Sequence, residues 1–69
     1  MLKARDVARV LHLLGFVKKR QDGSHMFYAH NDGRVTTIPH HGGKDIGRGL
    51  LRKIMRDINI PPKEFYGLL

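Results

Sequence analysis

A short turn, Gly23-Ser24-His25, places a histidine directly before the apolar residues 26–29 in a chain rich in lysine and arginine. A neutral imidazole can take the proton from a ribose 2′-hydroxyl, a second acid can protonate the departing 5′-oxygen, and nearby cations can stabilise the charge on phosphorus. This chemistry requires no metal and no cofactor. His25 is therefore a candidate general acid or base for RNA cleavage, although a histidine at the start of a strand is more often structural.

The composition favours a polyanionic partner. The 69 residues include 13 Lys plus Arg against 6 Asp plus Glu, a formal net charge of +7, and this density of positive charge attracts nucleic acid or an acidic protein. The chain contains no cysteine, which excludes disulfides and thiolate metal sites and favours a reducing compartment. Its charged start and its interrupted apolar stretches predict neither a signal peptide nor a membrane span. We expect one cytoplasmic domain over residues 1–69.

Hydrophobic spacing predicts the elements that position His25. Apolar residues at helical spacing indicate helices over residues 3–14 and 47–57, and a short third helix over residues 62–68. Between the first two helices, β-forming stretches at 16–21, 26–30 and 34–38 predict three strands joined by turns at Asp22-Gly23 and at residues 31–33. Strands linked by hairpins form an antiparallel sheet, and two amphipathic helices need one of its faces. The prediction is an α+β fold with both helices on one face of a three-stranded antiparallel sheet. Which face they cover stays open, because each face carries both apolar and polar residues.

The second hairpin decides what lies opposite His25. A three-residue loop at 31–33 puts His25 opposite Pro39, whereas a two-residue turn puts it opposite His40. In either register His25 shares one end of the sheet with at least one of His40 and His41. Basic residues on the first strand and at the start of the second long helix are predicted near that end: Lys18, Lys19, Arg20, Lys44 and Arg48.

Other kinds of site are less well supported. Four histidines, at positions 25, 30, 40 and 41, can be imagined as metal ligands, but adjacent histidines rarely converge on one ion and no cysteine assists them. Phe27 and Tyr28 can stack on bases but are more often core residues. Ser24 fits a turn residue better than a nucleophile, since no base is clearly placed to activate it.

Several segments together resemble the HicA family of toxins over about residues 3–65. They are Leu14-Gly15-Phe16, Gly23-Ser24-His25, Phe27-Tyr28, Val35-Thr36-Thr37-Ile38-Pro39, His41-Gly42, Lys44, Gly49 and Leu51-Arg52-Lys53-Ile54. The resemblance implies a double-stranded-RNA-binding-domain-like fold of α-β-β-β-α order. It also implies that His25 is the catalytic residue and that His41 has a supporting role. His40 and Lys18 depart from the family pattern, so His40, His41 and the Lys and Arg side chains all remain candidates for the second catalytic group.

Two functions follow as expectations. The first, implied by the resemblance, is an mRNA interferase: an endoribonuclease toxin that needs neither a metal nor the ribosome. It would be a monomer by itself and would form a hetero-oligomer with a HicB-like antitoxin that neutralises it. The second is a non-catalytic RNA-binding module. It would bind RNA through the basic residues predicted near His25, together with Ser24 and His41.

Overall fold

The computed structural model describes residues 2–40 and 42–69. Helix α1 (Ala4–Leu13) is followed by strands β1 (Val17–Asp22), β2 (His25–Ala29) and β3 (Val35–Pro39), then by helices α2 (Arg48–Ile58) and α3 (Pro62–Gly67). The strands form one antiparallel sheet in the order β1-β2-β3. The predicted α+β architecture is confirmed, with element ends within about two residues of those predicted from the sequence, the ordinary uncertainty of helix and strand boundaries. None of the helices within the described residues is long and apolar enough to cross a membrane.

The turn that follows α1 requires a glycine. Gly15 has a φ of +93°, a left-handed conformation that L side chains rarely adopt, and a Cβ there would lie 3.0 Å from Nε2 of His30. This turn lets the N–H of Phe16 donate to the carbonyl of Leu11 at 2.9 Å, the closure typical of helix C-terminal caps. Phe16, predicted to begin the first strand, is instead a fully buried core residue.

The second hairpin has the three-residue loop. His30 and Arg34 close it, with the His30 N–H donating to the Arg34 carbonyl at 2.9 Å, and Gly33 takes a φ of +100°. His25 consequently pairs with Pro39 and Ala29 with Val35. The register predicted for a three-residue loop is confirmed.

The core lies between the helices and one face of the sheet. Met26 and Tyr28 of β2 and Thr36 and Ile38 of β3 point into it, while their neighbours along each strand point to the opposite face. The helices supply the remaining core side chains, which are Ala4, Val7, Val10, Leu11, Leu51, Ile54, Met55, Ile58 and Phe65, together with Phe16 and Ile46. Both long helices pack mainly against β3, and all six residues of β1 are exposed. We call the face that the helices leave uncovered the open face.

The end of α2 is held by two features. Asn59, predicted to stop the helix, adopts the left-handed conformation with a φ of 57° and caps it. The guanidinium of Arg34 donates a hydrogen bond to the carbonyl of Ile58 and lies 5.0 Å from the centroid of the Phe16 ring. Arg34 thus ties the start of β3 to the end of α2 and to the end of α1.

Candidate nucleic-acid interface on the open face

His25 begins β2 on the open face and is exposed. It pairs with Asp22 of β1 on one side and Pro39 of β3 on the other, so these side chains share its face at about 5 Å between Cβ atoms. Within residues 2–40 and 42–69, the imidazole makes no hydrogen bond and no ion pair. An unengaged imidazole on an uncovered face is accessible to a ligand as large as a nucleic-acid strand.

The turn before His25 is fastened to the end of β3. Gly23 has a φ of +58°, and its carbonyl accepts a hydrogen bond from the Gln21 side chain at 3.1 Å. The carbonyl of Ser24 accepts from the N–H of His40 at 2.5 Å. The main chain of His40 is therefore adjacent to the turn, as predicted. Ser24 is half-buried, and this main-chain bond agrees with its interpretation as a turn residue.

A β-bulge in β1 brings a cation to the face of His25. The pairing shifts between Lys18 and Arg20, so that Lys18 lies opposite Tyr28 and Arg20 lies opposite Phe27. Without the extra residue, strict alternation would turn Arg20 toward the face that the helices cover. With it, the side chains of Arg20 and Asp22 both lie on the open face. Asp22 is directly opposite His25, and Arg20 is opposite Phe27, two residues further along β2.

Arg20 and Phe27 form a stacked pair beside His25. The guanidinium carbon of Arg20 lies 4.4 Å from the centroid of the Phe27 ring, and its Nε lies 3.1 Å from a carboxylate oxygen of Asp22. An exposed guanidinium held over an aromatic ring remains able to bind a phosphate. Phe27 is half-buried on the open face, so the expectation that it is a core residue is wrong. Tyr28 is buried, and burial raises its pKa.

The other two basic residues of β1 lie apart from this pair. Lys18 points away from the open face, and its Nζ lies 3.4 Å from the side-chain oxygen of Gln21. Lys19, at the bulge, borders a groove of about 560 Å³ that crosses the sheet to α2. The lining residues are Lys19, Arg20, Phe27, Tyr28, Ala29, Val35, Thr36, Thr37, Lys53 and Asp57. The lining includes Tyr28 and Thr36, which point to the covered face, so the groove is not confined to the open face.

Lys53 belongs to a polar cluster that sequence reasoning missed. Its Nζ and the hydroxyl of Thr36 both donate to the same carboxylate oxygen of Asp57, each at 2.9 Å. The four-residue spacing of Lys53 and Asp57 indicates a helical ion pair, but nothing in the sequence shows that the pair faces β3. The sequence also does not identify Asp22 as a neighbour of His25, because the Asp-Gly pair predicts only a turn.

Lys44 and Arg48 occupy a different environment. The segment that carries Lys44 is fastened to the start of α1, where Nζ of Lys3 donates to a carboxylate oxygen of Asp45 at 2.6 Å and the hydrogen bond lowers the pKa of Asp45. Arg48 opens α2 and borders depressions shared with Tyr66 of α3. Among the described residues, no hydrogen bond or ion pair links either side chain to β1 or β2. His41, the remaining predicted site residue, lies outside the described residues.

No grouping of three or more His, Asp or Glu side chains that could hold a metal ion is present in residues 2–40 and 42–69.

A family model described as HicA toxin of bacterial toxin-antitoxin matches residues 4–60. No curated protein matches the chain.

Proposed function

The chain belongs to the HicA family, toxins of bacterial toxin-antitoxin systems, and from this premise we propose that it is an endoribonuclease that cleaves mRNA with His25 as general acid or base. The observation that carries the proposal is the exposed imidazole of His25 beside the stacked Arg20 and Phe27 on the open face. The proposal treats residues 1–69 as one toxin domain acting in the cytoplasm, where mRNA is found.

In the proposed reaction the neutral imidazole of His25 accepts the proton of a ribose 2′-hydroxyl, and the 2′-oxygen attacks the adjacent phosphorus. The bond from phosphorus to the 5′-oxygen breaks, and that oxygen leaves with a proton from a second acid. The products are a 2′,3′-cyclic phosphate and a 5′-hydroxyl. Arg20 would stabilise the additional negative charge on the phosphoryl oxygens. The second acid is one of His40, His41 or a nearby cation.

The family also implies an antitoxin partner, and we propose a HicB-like protein that neutralises the toxin by covering the open face. The free toxin would be a monomer and the neutralised form a hetero-oligomer. A net charge of +7 favours an acidic partner whose association slows as salt screens the attraction.

The test compares wild type with His25→Ala on purified mRNA in the presence of EDTA. The cleavage rate should fall by about 10²- to 10⁴-fold, the range for loss of one general acid or base. His12→Ala is the matched control, because His12 is an exposed histidine on α1, and it should cleave at the wild-type rate. Equal cleavage by wild type and His25→Ala would show that His25 has no catalytic role.

A second candidate function is RNA binding without catalysis. It is favoured by one observation, namely that no hydrogen bond orients the His25 imidazole among the described residues, whereas catalytic histidines are commonly held by a partner. In that case wild type would bind RNA in a salt-sensitive way and leave it intact after long incubation.

A further inference from the structure

Helix α2 carries a row of arginines that the proposed cleavage does not use. Arg48, Arg52 and Arg56 recur every fourth residue, about 6 Å apart along the helix axis, and all three are exposed. None of them forms an ion pair with another described residue. Lys53 of the same helix, in contrast, does pair with Asp57, at 2.9 Å. The arginine row is therefore positive charge without an acidic partner among residues 2–40 and 42–69.

Three depressions that share lining residues follow one another along this side of α2. The first, about 440 Å³, is lined by Arg52, Met55, Arg56, Asn59, Ile60, Pro61 and Pro62. The second, about 280 Å³, shares Arg52, Met55 and Pro62 with it and adds Arg48 and Tyr66. The third, about 300 Å³, shares Arg48 and Tyr66 and adds Leu2, Ile46 and Leu51. We call the three depressions together the α2 groove. It follows the helix, whose 11 residues rise about 16 Å.

The α2 groove lies on a different side of the molecule from His25. Helix α2 packs against the covered face of the sheet, whereas His25 lies on the open face. Steps of 100° per residue place Arg52 about 140° around the helix from Asp57, which contacts Thr36 of β3, and α3 borders the side of Arg52 through Pro62 and Tyr66. A ligand in the α2 groove therefore leaves the open face uncovered.

We propose that the α2 groove binds an acidic segment of the antitoxin, a segment in which apolar residues alternate with aspartates or glutamates. Arginine forks bind carboxylates through paired hydrogen bonds. Apolar side chains of the segment would lie on Met55, Ile60 and the two prolines. A groove of this length holds about five residues of extended peptide. This inference rests on the antitoxin partner that the family implies, and it assigns that partner a second contact surface.

The lining of the groove favours a peptide over a nucleic-acid strand. Beside the arginines its lining is apolar, with Met55, Ile60 and the two prolines, and an aromatic ring, Tyr66, is 48% exposed. Arginine, methionine and aromatic residues are the types enriched at protein interfaces. A strand bound at His25 would also have to pass around the sheet to reach Arg52.

The test is a charge reversal of Arg52 and Arg56, with dissociation constants for the purified cognate antitoxin measured by titration calorimetry at low and high salt. The control reverses Arg5 and Arg9, an exposed pair with the same spacing on α1, in which Arg9 lies 3.7 Å from a carboxylate oxygen of Asp6. Arg52→Glu with Arg56→Glu should weaken antitoxin binding about tenfold or more at low salt and much less at high salt. The control pair should lose only the small part due to net charge. Circular dichroism and thermal unfolding verify the fold, and Arg52→Gln with Arg56→Gln replaces the reversal if that variant does not fold.

Binding of a short 2′-deoxy strand and mRNA cleavage by the free toxin are measured on the same proteins. Both should change no more in the Arg52 and Arg56 variants than in the Arg5 and Arg9 control, which carries the same net charge. Unchanged antitoxin affinity overturns the inference, and so does a loss of nucleic-acid binding with unchanged antitoxin affinity, which would make the groove an RNA surface. If wild type fails to cleave mRNA, the proposed reaction fails, but the comparison of antitoxin affinities still decides the role of the groove.

Discussion

Replacing Arg34 with alanine should destabilise the protein far more than its place at a strand start suggests. The guanidinium donates to the carbonyl of Ile58 at the end of α2, and a hydrogen bond with one charged partner contributes about 1.5–3 kcal/mol. Its contact with the Phe16 ring adds about 0.5–1 kcal/mol. The Arg34 side chain is 28% exposed, which places the hydrogen bond at the lower end of its range.

We therefore expect Arg34→Ala to lower the free energy of unfolding by about 2 kcal/mol and, in a domain of this size, to lower Tm by about 8–16 °C. Urea titration followed by circular dichroism measures the first quantity and a thermal scan the second. Arg34→Lys keeps the charge but loses the planar fork, so it should recover only part of the loss.

Arg5→Ala is the matched control, because Arg5 is an exposed arginine with no hydrogen bond or ion pair among the described residues, and it should change stability by less than about 0.5 kcal/mol. If Arg34→Ala is as stable as this control, the contact with Ile58 does not hold α2 in place. RNA cleavage per folded molecule should be unchanged, because Arg34 and His25 lie at the two different ends of the sheet.

Two further predictions concern charge. The hydrogen bond from the Arg34 side chain holds the pKa of Asp32 below its ordinary value. The Asp32 carboxylate therefore stabilises the fold above its unfolded pKa of about 3.9, and this contribution is lost as pH falls through the lower folded pKa. Wild type should be more stable than Asp32→Asn in urea at neutral pH, and the difference should vanish in strong acid; a constant difference would contradict the assignment. Arg20→Met should reduce the salt dependence of RNA binding by about 0.7 in the log-log slope, the loss of one single-strand phosphate contact. This is measured in a His25→Ala background, and an unchanged slope would remove Arg20 from the RNA interface.

Local rules were sufficient for the element order, and they limited the second hairpin to two registers, with either Pro39 or His40 opposite His25. Gly15 marks the end of α1 because a left-handed residue is needed there, and residues 31–33 end in a glycine whose positive φ closes a three-residue loop. That loop alone fixes Pro39 opposite His25. The candidate histidine, its turn and the nearness of His40 follow from these short-range constraints.

Long-range contacts decided the rest of the candidate site. Both faces of the sheet are chemically mixed, so only the packing of the helices on β3 determined that Tyr28 is buried and Phe27 is open. The bulge at Lys19 is one extra, unpaired residue in β1, and no pattern of residue types predicts it. The bulge turns the side chains of Arg20 and Asp22 to the face of His25.

The sequence by itself determined a basic α+β chain with a histidine at the start of its middle strand, because helix periodicity, turn residues and net charge are properties of neighbouring residues. Only the tertiary structure determined which side of the molecule each basic side chain occupies. It placed Arg20 with Phe27 on the open face, joined Lys53 to Asp57 and Thr36, and left Arg52 and Arg56 along a groove on another side. The physical reason is that the direction of each side chain depends on which face its element buries, and burial is decided by residues far apart in the chain.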